Sequence, residues 1–267
     1  MDKLEKTLSG LKQRWQESDN SRSMDEKKKP VPPSLLSSAG CERCKGTGWL
    51  SSDLRMTARG HYESKLIRCS CMADEDKRRR TVYLNRIDGL TDDERTRRFS
   101  NIDDHYEPGV LINIREATVA SRGMITLVGD YGTGKSTLLI CAVNEARELG
   151  RVAVYTTLTD LLAYLRRTFE PGAEDTFDQY WEALLSCDVL ALDELDEPKS
   201  TDWALEKFQR LMDERWRRME DQFTICAINS RINSLPGKIQ SRLRDGRAQI
   251  ISIGGLDMRP GNTWERN

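Results

Sequence analysis

The sequence predicts an α/β fold in which a five-stranded parallel sheet is flanked by helices, with a small metal-binding module ahead of it. Three observations lead there. Five short apolar runs, Met124–Asp130, Val152–Thr157, Val189–Glu194, Phe223–Ser230 and Ala248–Gly254, are rich in Val, Ile, Leu or Ala and do not alternate cleanly with polar residues. Strands covered on both faces read this way, and the helical patterns between them imply parallel pairing. A glycine-rich segment, Gly129 to Ser136, stands between the first of these runs and a helix. Two close-spaced cysteine pairs, Cys41-x-x-Cys44 and Cys69-x-Cys71, lie well upstream.

The bulk composition sets the frame. The chain has 267 residues, enough for a core of about 150 residues and a smaller unit beside it. Its 42 Lys and Arg against 43 Asp and Glu leave a formal charge of −1, so no global field draws it to nucleic acid. No apolar run approaches the roughly 20 residues that span a bilayer, and the start, MDKLEKTLSGLKQRW, has no apolar signal region. Seven cysteines, four of them in short-spaced pairs, suit a reducing compartment and a metal site better than a disulfide framework. The expectation is a cytoplasmic protein with no membrane segment.

Taken in order, Leu4, Leu8, Leu11 and Trp15 recur at helical spacing, and Ser18–Ser38 is Ser-rich, charged and broken by prolines. Residues 1–38 therefore read as an amphipathic helix and a flexible linker. The cysteine module takes 39–73. A basic helical connector follows over 74–98, where Lys77–Arg98 carries eight basic residues against four acidic ones. Residues 99–267 hold the nucleotide-binding domain. Within it, Thr137–Gly150 reads as a helix closed by its glycine. Trp203–Met219 reads as a second helix, with Leu205, Phe208, Leu211 and Met212 on one face.

Gly129-Asp130-Tyr131-Gly132-Thr133-Gly134-Lys135-Ser136, followed by Thr137, satisfies G-x-x-x-x-G-K-[ST] between a buried strand and a helix. Glycines let the backbone wrap phosphates, and the helix N-terminus favours their charge. Lys135 is expected to reach the β- and γ-phosphates of ATP, and Ser136 to hold Mg²⁺. The run Val189–Leu192 ends in Asp193 and Glu194. Asp193 would orient the magnesium shell and Glu194 polarise the attacking water. Asn229 ends the next strand, where its amide could hold that water or simply terminate the strand. Lys238, Arg242, Arg244 and Arg247 read equally as a solvated helix face.

Cys41, Cys44, Cys69 and Cys71 supply the four thiolates of a closed tetrahedral Zn²⁺ site. Gly46 and Gly48 permit the tight turn beneath the metal, and the intervening residues form a hairpin. His61 could compete as a ligand, although four cysteines fill the shell. Cys141, Cys187 and Cys226 lie in apolar helix or strand contexts and read as core.

The segments RRFSNID, GDYGTGKST, DLLAYLRRTF, LALDELDEPKSTDWALEKFQRLMDERW, SRLRD and GGLDMR, in this order and spacing, resemble the helicase-loader branch of the AAA+ ATPases: the DnaC/DnaI-type loaders, their phage relatives and the similar IstB transposition helpers. The resemblance runs from about Arg98 to Arg259, and the cysteine module is similar to one in phage and related loaders. It implies that Asn229 is a sensor residue and that Arg242, or less readily Arg244, is an arginine finger reaching the ATP of a neighbouring subunit. It further implies that Arg259 is a second sensor on the nucleotide and that Phe99–Ile102 lies against the adenine. Eight residues follow Arg259, which fits the pattern without a helical lid. One departure is Asp193-Glu194-Leu195 where the family often has Asp-Asp-Gly; Glu remains competent to activate water.

The resemblance also places single-stranded DNA on Arg166, Arg167 and Phe169 and on the region of Lys199 and Trp203. A cation beside a stacking ring is what backbone tracking and base stacking require, although Phe169 could equally be core. The function implied is an ATP-dependent loader of a replicative hexameric DNA helicase, self-associating so that the finger acts in trans, with the cysteine module docking the helicase. An IstB-like helper of DNA transposition is the alternative.

Overall fold

The computed structural model describes residues 41–51, 55–56, 62–63, 66–102, 106–173, 176–196, 201–229 and 232–254. The expected Leu4–Trp15 helix, the linker, His61, Lys199 and Arg259 lie outside these residues. The chain divides into two compact units, Met1–Ala73 and Asp74–Asn267.

The first unit is built on hairpin ladders. β1 (Trp49–Ser51) pairs antiparallel with β4 (Leu66–Arg68), and between them β2 (Arg55–Met56) pairs with β3 (Tyr62–Glu63). The turn leading into β1 is tight: Lys45, Gly46 and Gly48 all have left-handed backbones, with φ of 49°, 82° and 75°. Glycine adopts this region without a Cβ clash, which is why Gly46 and Gly48 stand there.

Helix α1 (Ala73–Ile87) starts at the boundary, and the second unit continues through α2 (Pro108–Ala120), β5 (Gly123–Val128), α3 (Lys135–Glu148), β6 (Ala153–Thr157) and α4 (Leu158–Arg167). Then come α5 (Phe177–Ser186), β7 (Val189–Asp193), α6 (Asp202–Arg217), β8 (Phe223–Ile228), α7 (Gly237–Leu243) and β9 (Gln249–Ser252). The helices start where the local chemistry says they should. Thr157 accepts from the Asp160 N–H, Thr201 from the Ala204 N–H, and Thr176 with Gln179 closes a capping box. Helix α3 gives way to Gly150 at φ 71°, as its sequence predicts.

The five strands β5 to β9 form one parallel sheet in the order β6-β7-β8-β5-β9. Alternate residues of each strand enter different cores. Val154, Leu190, Leu192, Cys226 and Ile228 pack with α4, α5, α6 and α7. Ala153, Val189, Ala191, Ile225, Ala227 and Leu127 pack with α2 and α3. Both faces are therefore apolar, and this is why the strands show no polar alternation in sequence. Cys141, Cys187 and Cys226 are buried, as expected of core cysteines.

The expected helix over 74–98 is shorter in the structure. It ends at Ile87, and two 3₁₀ turns, Glu94–Thr96 and Phe99–Asn101, follow. Asp88-Gly89 is a turn-forming pair, and the fully buried Asp88 carboxylate meets Arg95 at 2.7 Å and Arg147 at 2.8 Å. The chain then pairs with the sheet edge: Gly89 N–H donates to the Tyr155 carbonyl, and Asp88 accepts from the Tyr155 N–H. The segment expected as a connector is thus bonded into the body of the second unit, with Leu84 and Ile87 in its core.

A feature the sequence does not announce sits at the end of α5. Its last carbonyls have no partner within the helix, and side chains from elsewhere supply the donors. Arg215 donates to the carbonyls of Cys187 and Phe223 at 2.7 and 2.6 Å and to Thr224 and Gln222. Arg218 and Gln222 donate to Leu185, and Arg80 to Ser186. Arg215 is completely buried. Hydrogen bonds to carbonyls at the negative end of a helix dipole offset much of the cost of burying its charge.

Candidate functional site

The phosphate-binding segment lies between β5 and α3, so its loop opens at the C-terminal edge of the sheet. Gly132 and Gly134 are left-handed, with φ of 78° and 84°. Gly129 answers a different demand: a Cβ there would stand 2.2 Å from the Ile253 carbonyl oxygen, so only glycine lets the loop pass the end of β9. Thr133 closes the loop by donating to the Asp130 carbonyl at 2.9 Å. Lys135 is buried and donates to the carbonyls of Gly129 at 3.0 Å and Asp130 at 2.7 Å. Its ammonium is therefore held over the loop interior, where a phosphate oxygen would compete for it. Tyr106 donates to the Gly134 carbonyl at 2.9 Å. Burial pushes this phenol up to about 12, which keeps it a donor at neutral pH. Tyr131 is exposed at the loop tip.

Strand order brings the acids to the same edge. Because β8 separates β7 from β5, the chain end carrying Asn229 emerges between the loop and Asp193. The register sets Asp193 level with Thr157 on one side and, one residue beyond the Leu192–Cys226 pair, with Ala227 on the other. Asp193 is buried, and lies two residues beyond Ala191 on the strand face that packs on α3. Its Oδ2 accepts from the Tyr155 hydroxyl at 2.8 Å and its Oδ1 from the Glu194 N–H at 2.9 Å. Glu194 has a left-handed backbone, φ 54°, which turns the chain so that Leu195 re-enters the core and donates to the Ala227 carbonyl. The Asn229 N–H donates to Asp196 at 3.3 Å.

Ser136, in the first turn of α3, and the Asp193 carboxylate offer hard oxygen donors on one face of the sheet. That donor chemistry fits Mg²⁺, which takes one or two protein oxygens and completes its shell with phosphate and water.

Solved structures share this fold. DnaI is matched at 18% identity with a TM-score of 0.51, covering 64% of this chain and 95% of that one. The replication initiator DnaA, bound to AMPPCP and single-stranded DNA, is matched at 20% identity with a TM-score of 0.51, over 62% of this chain and 51% of that one. AMPPCP-bound DnaA from Aquifex aeolicus is matched at 22% identity with a TM-score of 0.47, over 53% of this chain and 44% of that one. This chain therefore spans about half of the DnaA structures it matches. No family model and no curated protein matches the sequence.

The fold is that of the AAA+ P-loop ATPases.

Outside the loop of this AAA+ core, the predicted arginines lie on α7 and just after it. Arg242 donates to Asp213 at 2.7 Å through Nε and meets the same carboxylate at 2.6 Å through its terminal nitrogen. Its guanidinium lies 4.1 Å from the Trp216 ring centroid, and Arg247 lies 4.3 Å from the same ring. Arg244 donates to Asn233. Phe99 is buried, with Arg115 over its ring.

At the far end of α4 the structure brings together Arg166, Phe169 and Trp203. Phe169 is 61% exposed, packs edge-on against Trp203 at 6.1 Å, and stacks on Phe177 at 5.4 Å; Phe177 in turn stacks on Trp181 at 5.4 Å. Arg166 lies over Trp203, Lys207 over Phe177 and Arg210 over Trp181, each within 5.6 Å of the ring. Arg167 is exposed beside them. The sequence reading missed Phe177, Trp181, Lys207 and Arg210. Their spacing along α5 and α6 marks an apolar helix face, and only the packing of three helices aligns their rings.

In the first unit the sulfur atoms of Cys41, Cys44, Cys69 and Cys71 all lie within 4.8 Å of one another. Cys41–Cys69 and Cys44–Cys71 approach to 3.8 and 3.5 Å. A tetrahedron with zinc–sulfur bonds of about 2.3 Å has edges of about 3.8 Å, so the four thiols fit Zn²⁺. The Gly48 N–H points at the Cys44 sulfur from 3.3 Å. Burial pushes the Cys44 thiol up, but the N–H groups of Gly48 and Gly46 and its neighbouring thiols outweigh it and bring it to about 6. Burial and the thiols of Cys69, Cys44 and Cys41 push Cys71 up to about 12. No described helix is long and apolar enough to cross a membrane.

Proposed function

We propose that the protein is an ATP-dependent loader of a replicative hexameric helicase onto single-stranded DNA. One observation carries the ATPase half of this reading: the phosphate loop, Asn229 and the Asp193–Glu194 pair emerge side by side at one sheet edge. In this site Lys135 and the loop N–H groups would bind the phosphates, Ser136 and Asp193 would hold Mg²⁺, and Glu194 would withdraw a proton from the attacking water while Asn229 orients it. The metal supplies charge neutralisation between the phosphates. Arg242 belongs to a neighbouring subunit's site: it would exchange Asp213 for the phosphate there, so that hydrolysis requires assembly. Phe169 and Trp203 with Arg166 and Arg167 supply the rings and charge for single-stranded DNA.

The loader half is supported by the segments that resemble those of DnaC/DnaI-type loaders and by the likeness in fold to DnaI over 95% of that structure. The cysteine module would bind Zn²⁺ as a closed structural site and dock the helicase. ATP turnover by wild type and Glu194→Gln, with single-stranded DNA and helicase present, tests the enzyme claim. Wild type is expected to turn over and the variant only to bind; equal rates in both would remove the claim.

A further inference from the structure

Asp193 is gripped from an unexpected side. Tyr155 stands on β6, the edge strand, level with Ala191 of β7, so its ring is the diagonal cross-strand neighbour of Asp193 on the same face. Its hydroxyl donates to Oδ2 at 2.8 Å, while the Glu194 N–H occupies Oδ1.

The backbone of Tyr155 is fixed as well. Its N–H donates to the Asp88 carboxylate at 3.2 Å, and its carbonyl accepts from Gly89 at 2.8 Å. Asp88 itself is locked by Arg95 and Arg147. A two-bond clasp from the segment after α1 therefore sets where the Tyr155 ring lies, and the ring sets where the carboxylate points.

We propose that Tyr155 is a positioning residue for Asp193, fixing the carboxylate in the orientation that receives the magnesium–nucleotide complex. The inference rests on the ATPase reading. A carboxylate free to rotate has to be ordered when the metal binds, whereas one held by two donors already points correctly. The phenol occupies one lone pair of Oδ2 and leaves the others available.

The test is equilibrium binding of a non-hydrolysable ATP analogue as a function of Mg²⁺, for wild type and Tyr155→Phe. That substitution removes one oxygen and keeps the ring. Losing a hydrogen bond to a charged group is expected to raise the half-saturating Mg²⁺ about 10-fold or more, with nucleotide binding in EDTA unchanged. In an Asp193→Asn background the same substitution is expected to add nothing. That coupling isolates the pair even if Tyr155→Phe lowers stability on its own. A folded Tyr155→Phe protein with wild-type Mg²⁺ dependence, or an undiminished effect in Asp193→Asn, overturns the role of Tyr155 and leaves the ATPase reading standing. A wild-type protein that binds no nucleotide at any Mg²⁺ concentration overturns both.

Discussion

At Glu194 the backbone is left-handed, φ 54°, a conformation that costs roughly 1–2 kcal/mol for most residues other than glycine. The surroundings enforce it, because Leu195 is buried and its N–H is bonded to Ala227 on the neighbouring strand. Glu194→Gly should therefore keep or raise stability, by up to about 1 kcal/mol in urea denaturation, while losing turnover at least 100-fold. A clear loss of stability would show that the turn is not strained. The acids were legible in sequence because a buried apolar run ending in Asp-Glu has few structural uses. Arg215 was not, since its partners are mainly carbonyls brought close only by folding. Arg215→Met would leave several of those carbonyls without donors and is expected to cost about 3 kcal/mol or more, read as a lower denaturation midpoint.

On the scale of elements, the strands were legible because each buries both faces, whereas the sequence reading placed no caps at Thr157, Thr176 and Thr201, which close helix starts in the structure. The end of α1 was placed too late: the basic stretch was read as helical to Arg98, past the turn-forming Asp88-Gly89 pair at which the structure ends the helix and two arginines hold Asp88. Part of the ring cluster at the end of α4 could be read from Phe169 and the arginines beside it. Its stack onto Phe177 and Trp181 depends on how α5 and α6 pack. If bases stack there, Phe169→Ala should weaken binding of an oligothymidylate by about 1–3 kcal/mol, roughly 5- to 150-fold by fluorescence anisotropy. Arg166→Ala should instead flatten the salt dependence. Unaltered affinity in both variants would confine the cluster to a packing role.

At the scale of the whole molecule, the chain falls into two compact units. Chelation of zinc from residues 41–72 is expected to abolish the ordered hairpin and leave nucleotide binding by the second unit intact, because the phosphate loop and acids all lie beyond residue 74. Zinc release measured alongside nucleotide affinity checks this. If the proposed finger acts in trans, hydrolysis should rise with protein concentration, and Arg242→Ala should bind ATP yet fail to activate a wild-type neighbour. Unchanged turnover in a pure Arg242→Ala preparation would show that Asp213 and Trp216 hold this arginine for structure alone. The most direct test of the loader reading is capture of the host cell's replicative hexameric helicase by the full chain with ATP, with and without a zinc chelator. Capture that requires zinc is the expected result. No capture with zinc and ATP both present, combined with capture of a transposase, would contradict the loader reading and favour a helper of transposition.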